Sequence, residues 1–210
     1  MTETEFKNNI FLLSMIGYRP NVDKFKILFD CNPVVFWGID TKNPILDLKF
    51  KKSERIPDEC NWYINNFSGA LGCHMNHYYA IYFALISGRD FVVMMEDDVF
   101  PISDFDVLQE SFDELPEDWE CLNFGWIPSI VRHERGLTPH DYSKNLYTNE
   151  GMACSGAFGY ILNRKGMEKA LSILSDVRVP VDFIFNILKT FYCKTPYVGH
   201  PPAEAPSRIR

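Results

Sequence analysis

Three consecutive acids, Glu96, Asp97 and Asp98, close an unbroken apolar run, Phe91-Val92-Val93-Met94-Met95. Adjacent carboxylates repel one another, and a fold that gathers them at one strand end most often does so around a cation. Hard carboxylate oxygens select magnesium or manganese, and such ions commonly bridge to substrate phosphates. The competing reading is a solvated acidic turn, and the wholly apolar strand in front of the acids argues for the ion. Two other metal chemistries fit less well. Phosphoryl transfer to an aspartate nucleophile needs Asp first at the strand end, where Glu96 stands, and prenyl diphosphate enzymes set their acids on helices.

The elements that position these acids follow from the apolar pattern. Ile10 to Ile16 reads as a buried strand broken by Gly17-Tyr18-Arg19-Pro20, and Pro33 to Asp40 reads as a second. Val22, Phe25, Leu28 and Phe29 lie between them at near-helical spacing, so the chain opens as strand, helix, strand, and a right-handed crossover makes the two strands parallel. Residues 41 to 68 are mixed and read as irregular. After Gly69, the recurrence of Leu71, Met75, Tyr78, Tyr82 and Leu85 predicts a helix ending near Gly88. Phe91 to Met95 lacks alternation, as strands buried on both faces do. Cys121 to Ile127 and Ala157 to Asn163 read as further strands. Arg164 to Leu174 reads as a helix with Met167, Leu171 and Leu174 inward, and Val181 to Phe191 as another, begun by Pro180. This alternation predicts an α/β domain with a mainly parallel sheet flanked by helices. In such sheets ligands collect beyond the carboxyl ends of the strands, where the acids lie.

Composition agrees. The 210 residues are 46% hydrophobic and 15% aromatic, enough for one domain over residues 1 to 210 with its own core. A formal net charge of −7 with scattered basic residues argues against a nucleic-acid partner, and leaves any diphosphate ligand in need of a cation. No signal peptide or apolar run of membrane-spanning length is seen, so the expected location is the cytoplasm. The six cysteines, Cys31, Cys60, Cys73, Cys121, Cys154 and Cys193, form no C-x-x-C pair and read as reduced core thiols.

Two blocks resemble a known family. Gly69-Ala70-Leu71-Gly72-Cys73-His74-Met75-Asn76-His77, then a helix, then Val92-Val93-Met94-Met95-Glu96-Asp97-Asp98-Val99, is similar to glycosyltransferase family 25, the lipopolysaccharide and procollagen galactosyltransferases. That family's pattern is approximately G-x-x-G-C-x-x-S-H, a helix, and an apolar strand closing in E-D-D. Asn76 stands where Ser is usual, and His74 replaces an apolar residue. Gly156 to Gly166 followed by Val181-Asp182 is similar to the family's downstream signature. The resemblance covers about residues 67 to 190 and, more faintly, the first strand.

It implies a GT-A type (Rossmann-like) fold and a metal-dependent hexosyltransferase taking a nucleoside-diphosphate sugar, UDP-linked, as donor. The acceptor is a hydroxyl of a glycan, glycolipid or glycoprotein. Asp98 is expected to ligate Mn2+ or Mg2+, with Glu96 toward the metal shell or the ribose and Asp97 beside the cofactor. An inverting reaction wants a base opposite the leaving group; Asp182 is the first candidate, with a helix N-cap as its alternative role, and Glu150 the second. Arg19 is a candidate for a donor phosphate, Asp40 for the nucleoside, His77 for donor contact and His200 for the metal shell. Each has a plain alternative: an exposed Arg, a turn Asp, a packed helix His and a surface His. The rival functions are a metal-dependent nucleotidyl or phosphoryl transferase, or a noncatalytic carbohydrate-binding domain on the same fold.

Overall fold

The apolar run after Asn9 forms strand β1 (Ile10–Met15), and the next forms β2 (Val34–Gly38), parallel to it. The computed structural model describes residues 1–15, 19–38, 70–128, 140–148, 154–175 and 181–200; the end of the second run and the stretch 41 to 68 lie outside them. Helix α1 (Glu3–Asn8) precedes β1 and starts with a capping box between Thr2 and Glu5, which satisfies amide groups that the first turn leaves open. Helix α2 (Arg19–Phe29) connects the two strands and buries Val22, Phe25 and Phe29. Arg19 and Pro20 are already helical, where the sequence reading put a break. Proline's fixed φ and missing N–H suit a first turn, so the chain enters the helix there.

Helix α3 (Ala70–Ile86) leads into β3 (Phe91–Glu96), which lies parallel to β1. Then come β4 (Phe100–Pro101), α4 (Phe105–Asp113), β5 (Cys121–Pro128), β6 (His140–Asp141), β7 (Leu146–Thr148), β8 (Cys154–Asn163) and α5 (Arg164–Leu174). A 3-10 turn (Val181–Phe183), α6 (Ile184–Ile187), β9 (Thr190–Cys193) and β10 (Val198–Gly199) complete the described chain. The main sheet runs β2-β1-β3-β8-β5-β9-β7-β6, while β4 and β10 pair apart from it.

The α/β architecture is as expected, and the sheet is mixed. β2, β1 and β3 are parallel, β8 lies antiparallel between β3 and β5, and β9 runs parallel to β5. A strand buried on both faces has the same apolar pattern in either direction, so β8's orientation was not readable from its residues. The helix expected over Val181 to Phe191 stops at Ile187, because Thr190-Phe191-Tyr192-Cys193 is claimed by the sheet, Thr190 to Tyr192 pairing with Cys121 to Asn123 and Cys193 with Leu146. β-branched and aromatic residues favour that pleated setting.

Strand alternation sorts the core into two layers. On one face, Phe11, Val92, Met94, Tyr160 and Leu162 pack with α3 and α5 residues such as Ile81, Ala84, Met167 and Leu174. On the other, Ile10, Leu12, Val93, Met95 and Ile161 pack with Phe6, Val22, Phe25 and Leu108 of α1, α2 and α4. The buried stripe of α3 differs from the expected one. Tyr82 is 47% exposed, while His77, Ile81 and Ala84 are buried against the sheet and His74 is buried against α5. Their spacing is helical, and small Ala80 and Ala84 let the backbone approach the strands where tyrosines could not. Among the described residues no helix is long and apolar enough to cross a membrane.

Candidate active site

The same alternation separates the three acids. Glu96 shares parity with Val92 and Met94, so its side chain leaves the sheet on the α3 side; Asp97 follows Val93 and Met95 to the opposite side. There Asp97 is buried, its Oδ2 accepting the Ser14 hydroxyl at 2.6 Å while its backbone N–H donates to the Leu13 carbonyl at 3.0 Å. These bonds extend the β1–β3 ladder one residue past the strand and set where the turn carrying Asp98 begins.

His200 reaches that turn through a very short ladder. β10 pairs antiparallel with β4, with Gly199 opposite Phe100, and the Ile102 amide donates to the Tyr197 carbonyl at 2.9 Å. The result sets His200 Nε2 3.4 Å from Asp98 Oδ2. Val198 seats against Gly125 and Gly159: a Cβ on either would come within 2.7 Å of Val198 Cγ2. Glycine at these positions is therefore a condition for β10 to close. The ligand atoms of Glu96, Asp98 and His200 all lie within 4.8 Å of one another. Two carboxylates and one imidazole converging at a strand end are a donor set suited to a divalent ion such as manganese.

A second wall of the site comes from α3 and β8. His77 is 1% exposed; its Nδ1 is 2.7 Å from the Tyr160 hydroxyl and its Nε2 is 3.8 Å from Glu96 Oε1. Cys73, one turn earlier on α3, has its Sγ 4.0 Å from the same oxygen. Asp182 sits in the 3-10 turn, where its Oδ2 accepts the Gly156 amide at 2.9 Å. Burial pushes the Asp182 carboxyl above its ordinary pKa and the charge of Glu96 adds to this, while the Gly156 N–H and His77 pull the other way. Gly156 has φ +110°, a conformation that L side chains rarely adopt, and this lets its amide turn toward Asp182.

The residues singled out from sequence thus divide. Glu96, Asp98 and His200 have ligand atoms within 4.8 Å of one another, His77 meets Glu96 at 3.8 Å, and Asp182 lies within electrostatic reach of Glu96 and His77. Asp97 is turned to Ser14, away from that cluster. His74 is turned to α5, with Nε2 2.8 Å from the Leu174 carbonyl, so His74 and His77, three residues apart on α3, do not bring two imidazoles to one point. Arg19 is the first, exposed residue of α2. Asp40 and Glu150 lie outside the described residues. Sequence reasoning read Cys73 as a core thiol and assigned no role to Tyr160. The available signal was the one-turn spacing of Cys73 and His77, which puts both on one helix face.

Comparison with known proteins bears on this arrangement. No curated protein matches the chain. Among solved structures, the crystal structure of A197 from STIV is similar at 16% identity over 92% of this chain and 85% of that one, with a TM-score of 0.48. The sequence model of glycosyltransferase family 25 (LPS biosynthesis protein) matches residues 30–185, a span that includes both quoted blocks, the acidic strand end and Asp182. The chain therefore belongs to glycosyltransferase family 25 and is a glycosyltransferase.

Proposed function

We propose that the protein transfers a sugar from a UDP-linked donor to a hydroxyl of a glycan, glycolipid or glycoprotein, with inversion and with Mn2+ or Mg2+ held by Glu96, Asp98 and His200. The observation that carries the reading is the convergence of those three side chains within 4.8 Å at the carboxyl end of β3. The ion, when bound, neutralises the diphosphate and stabilises charge developing on the leaving nucleotide.

The protein's own groups supply the rest. Asp182 is suited to take the acceptor hydroxyl's proton, because burial raises its basicity and the Gly156 amide fixes its orientation. The His77–Tyr160 contact braces the wall beside Glu96. Arg19 opens the helix that follows β1, a position compatible with a donor phosphate.

Donor hydrolysis is the direct test. With manganese, the purified chain should slowly release free sugar and UDP from a UDP-sugar, and chelation should stop it. Release of nucleoside monophosphate or pyrophosphate would indicate nucleotidyl transfer instead. No turnover across a panel of nucleoside-diphosphate sugars would refute the reading.

A further inference from the structure

We propose that Cys73, His77 and Glu96 form a second cation site, selective for a soft divalent ion of the zinc type and sharing Glu96 with the hard site at Glu96, Asp98 and His200. The ligand atoms of these three residues lie within 4.8 Å of one another, on the side of the sheet covered by α3. Cys73 and His77 present from successive turns of α3, and Glu96 meets them from the end of β3.

The imidazole is the independent observation. His77 is 1% exposed, its Nδ1 is engaged by the Tyr160 hydroxyl, and its buried Nε2 has no hydrogen-bond partner among the described residues. A buried ring nitrogen without such a bond is costly unless something else meets it. Nε2 faces Glu96 Oε1 at 3.8 Å, too far for a hydrogen bond, with Cys73 Sγ at 4.0 Å from that same oxygen. Around tetrahedral zinc, the ligand-to-ligand separations for such S, N and O donors are about 3.4–3.6 Å. The two separations to Glu96 Oε1 exceed those values by about 0.4 Å, the three donor atoms lie within 4.8 Å of one another, and three protein ligands leave a fourth position open. The second contact of His77, to Tyr160, is the kind of outer hydrogen bond that orients metal-bound imidazoles.

Thiolate and imidazole select zinc over magnesium or manganese. Burial, with the charges of Glu96, Asp182 and Asp98, raises the Cys73 thiol well above its ordinary pKa, so the metal-free form carries S–H. Binding replaces that proton with the ion, the S–H bond breaks heterolytically, and one proton leaves to solvent. Glu96 belongs to both groups, and on the transferase reading above a soft ion here competes with the donor's ion for that carboxylate. Ligation itself needs no sugar donor and does not depend on that reading.

The test uses cobalt(II) as the probe for the full chain in excess magnesium. A sulfur-to-cobalt charge-transfer band should appear, saturate at one equivalent and be bleached by zinc. It should vanish in Cys73→Ser and persist in Asp98→Asn, which removes a ligand of the hard site and none of the soft one. His77→Gln should weaken zinc binding by on the order of 100-fold, since even outer-shell losses cost 10- to 100-fold. In the unaltered protein zinc should also protect Cys73 from iodoacetamide, read by peptide mass. That second readout holds even if a variant fails to fold. Absence of the band in the unaltered chain, its survival in folded Cys73→Ser, or no protection of Cys73 would overturn the proposal.

Discussion

His200 Nε2 lies 3.4 Å from Asp98 Oδ2, a contact made by the two-residue pairing of β10 with β4 rather than by the main sheet. Asp98 is therefore held from both sides, by its own turn and by a distant strand. Asp98→Ala is expected to lower metal-dependent activity on the order of 100-fold or more, the scale seen when a transition-state charge stabiliser is removed. Manganese affinity, measured by calorimetry, should fall in Asp98→Ala and more mildly in His200→Ala. Unchanged affinity in both would remove this pair from the ion site.

Gly159 controls whether that contact forms. A Cβ there would sit 2.7 Å from Val198 Cγ2 and 2.8 Å from Phe124 Cε2. Both neighbours are buried, so Gly159→Ala should cost about 1–3 kcal/mol through overpacking. Displacing β10 should also move His200, so manganese affinity should drop along with stability. Denaturant melts and calorimetry on one preparation would check both; a loss of stability with intact metal affinity would uncouple β10 from the site.

Asp182→Asn should separate catalysis from folding. The amide oxygen can still accept the Gly156 N–H, but no base remains, so transfer should slow by about 100- to 10,000-fold. Stability should move the opposite way. The folded carboxyl has a raised pKa, so its favourable contribution is full below the unfolded value and is lost as pH rises through the raised one. The variant should therefore melt higher than the parent at neutral pH, with the gap closing on acidification. An unchanged transfer rate would move the base elsewhere.

Glu120 is the structural counterpart. It is buried, and it accepts Lys169 Nζ and the Lys189 amide at 2.8 Å each, with Lys165 Nζ at 3.1 Å. Burial pushes its pKa up, but those hydrogen bonds outweigh burial and the net shift is downward. Its contribution is present above the ordinary value of 4.5 and is lost as pH falls through the lowered one. Glu120→Gln should cost roughly 1–3 kcal/mol, discounted from a fully buried pair because the lysine heads are partly solvated. Melting temperature against pH should show the parent losing its advantage in acid.

Much of this site was legible in the residues. The apolar run Phe91 to Met95 marked a strand buried on both faces, and the acids behind it marked the strand end where Glu96 and Asp98 come within 4.8 Å of His200. Asn163 accepts the Gly166 amide at 2.8 Å and starts α5 at the expected residue, because capping and apolar spacing are local. The helix face of α3 was misread because large apolar residues occur on most of its sides, and close approach to the sheet selected Ala80 and Ala84 over Tyr82.

What the sequence determined by itself was the set of local elements and the charge they carry: α/β alternation, a strand ending in three carboxylates, a helix bearing Cys73 and His77. Tertiary structure alone decided which of those groups meet. A two-residue ladder has no periodicity to read, so His200's approach to Asp98 depends on Val198 finding room over Gly125 and Gly159. Likewise Asp97 and Glu96 part company only once β3 is pinned between β1 and β8, because alternation fixes opposite faces but not what lies on each.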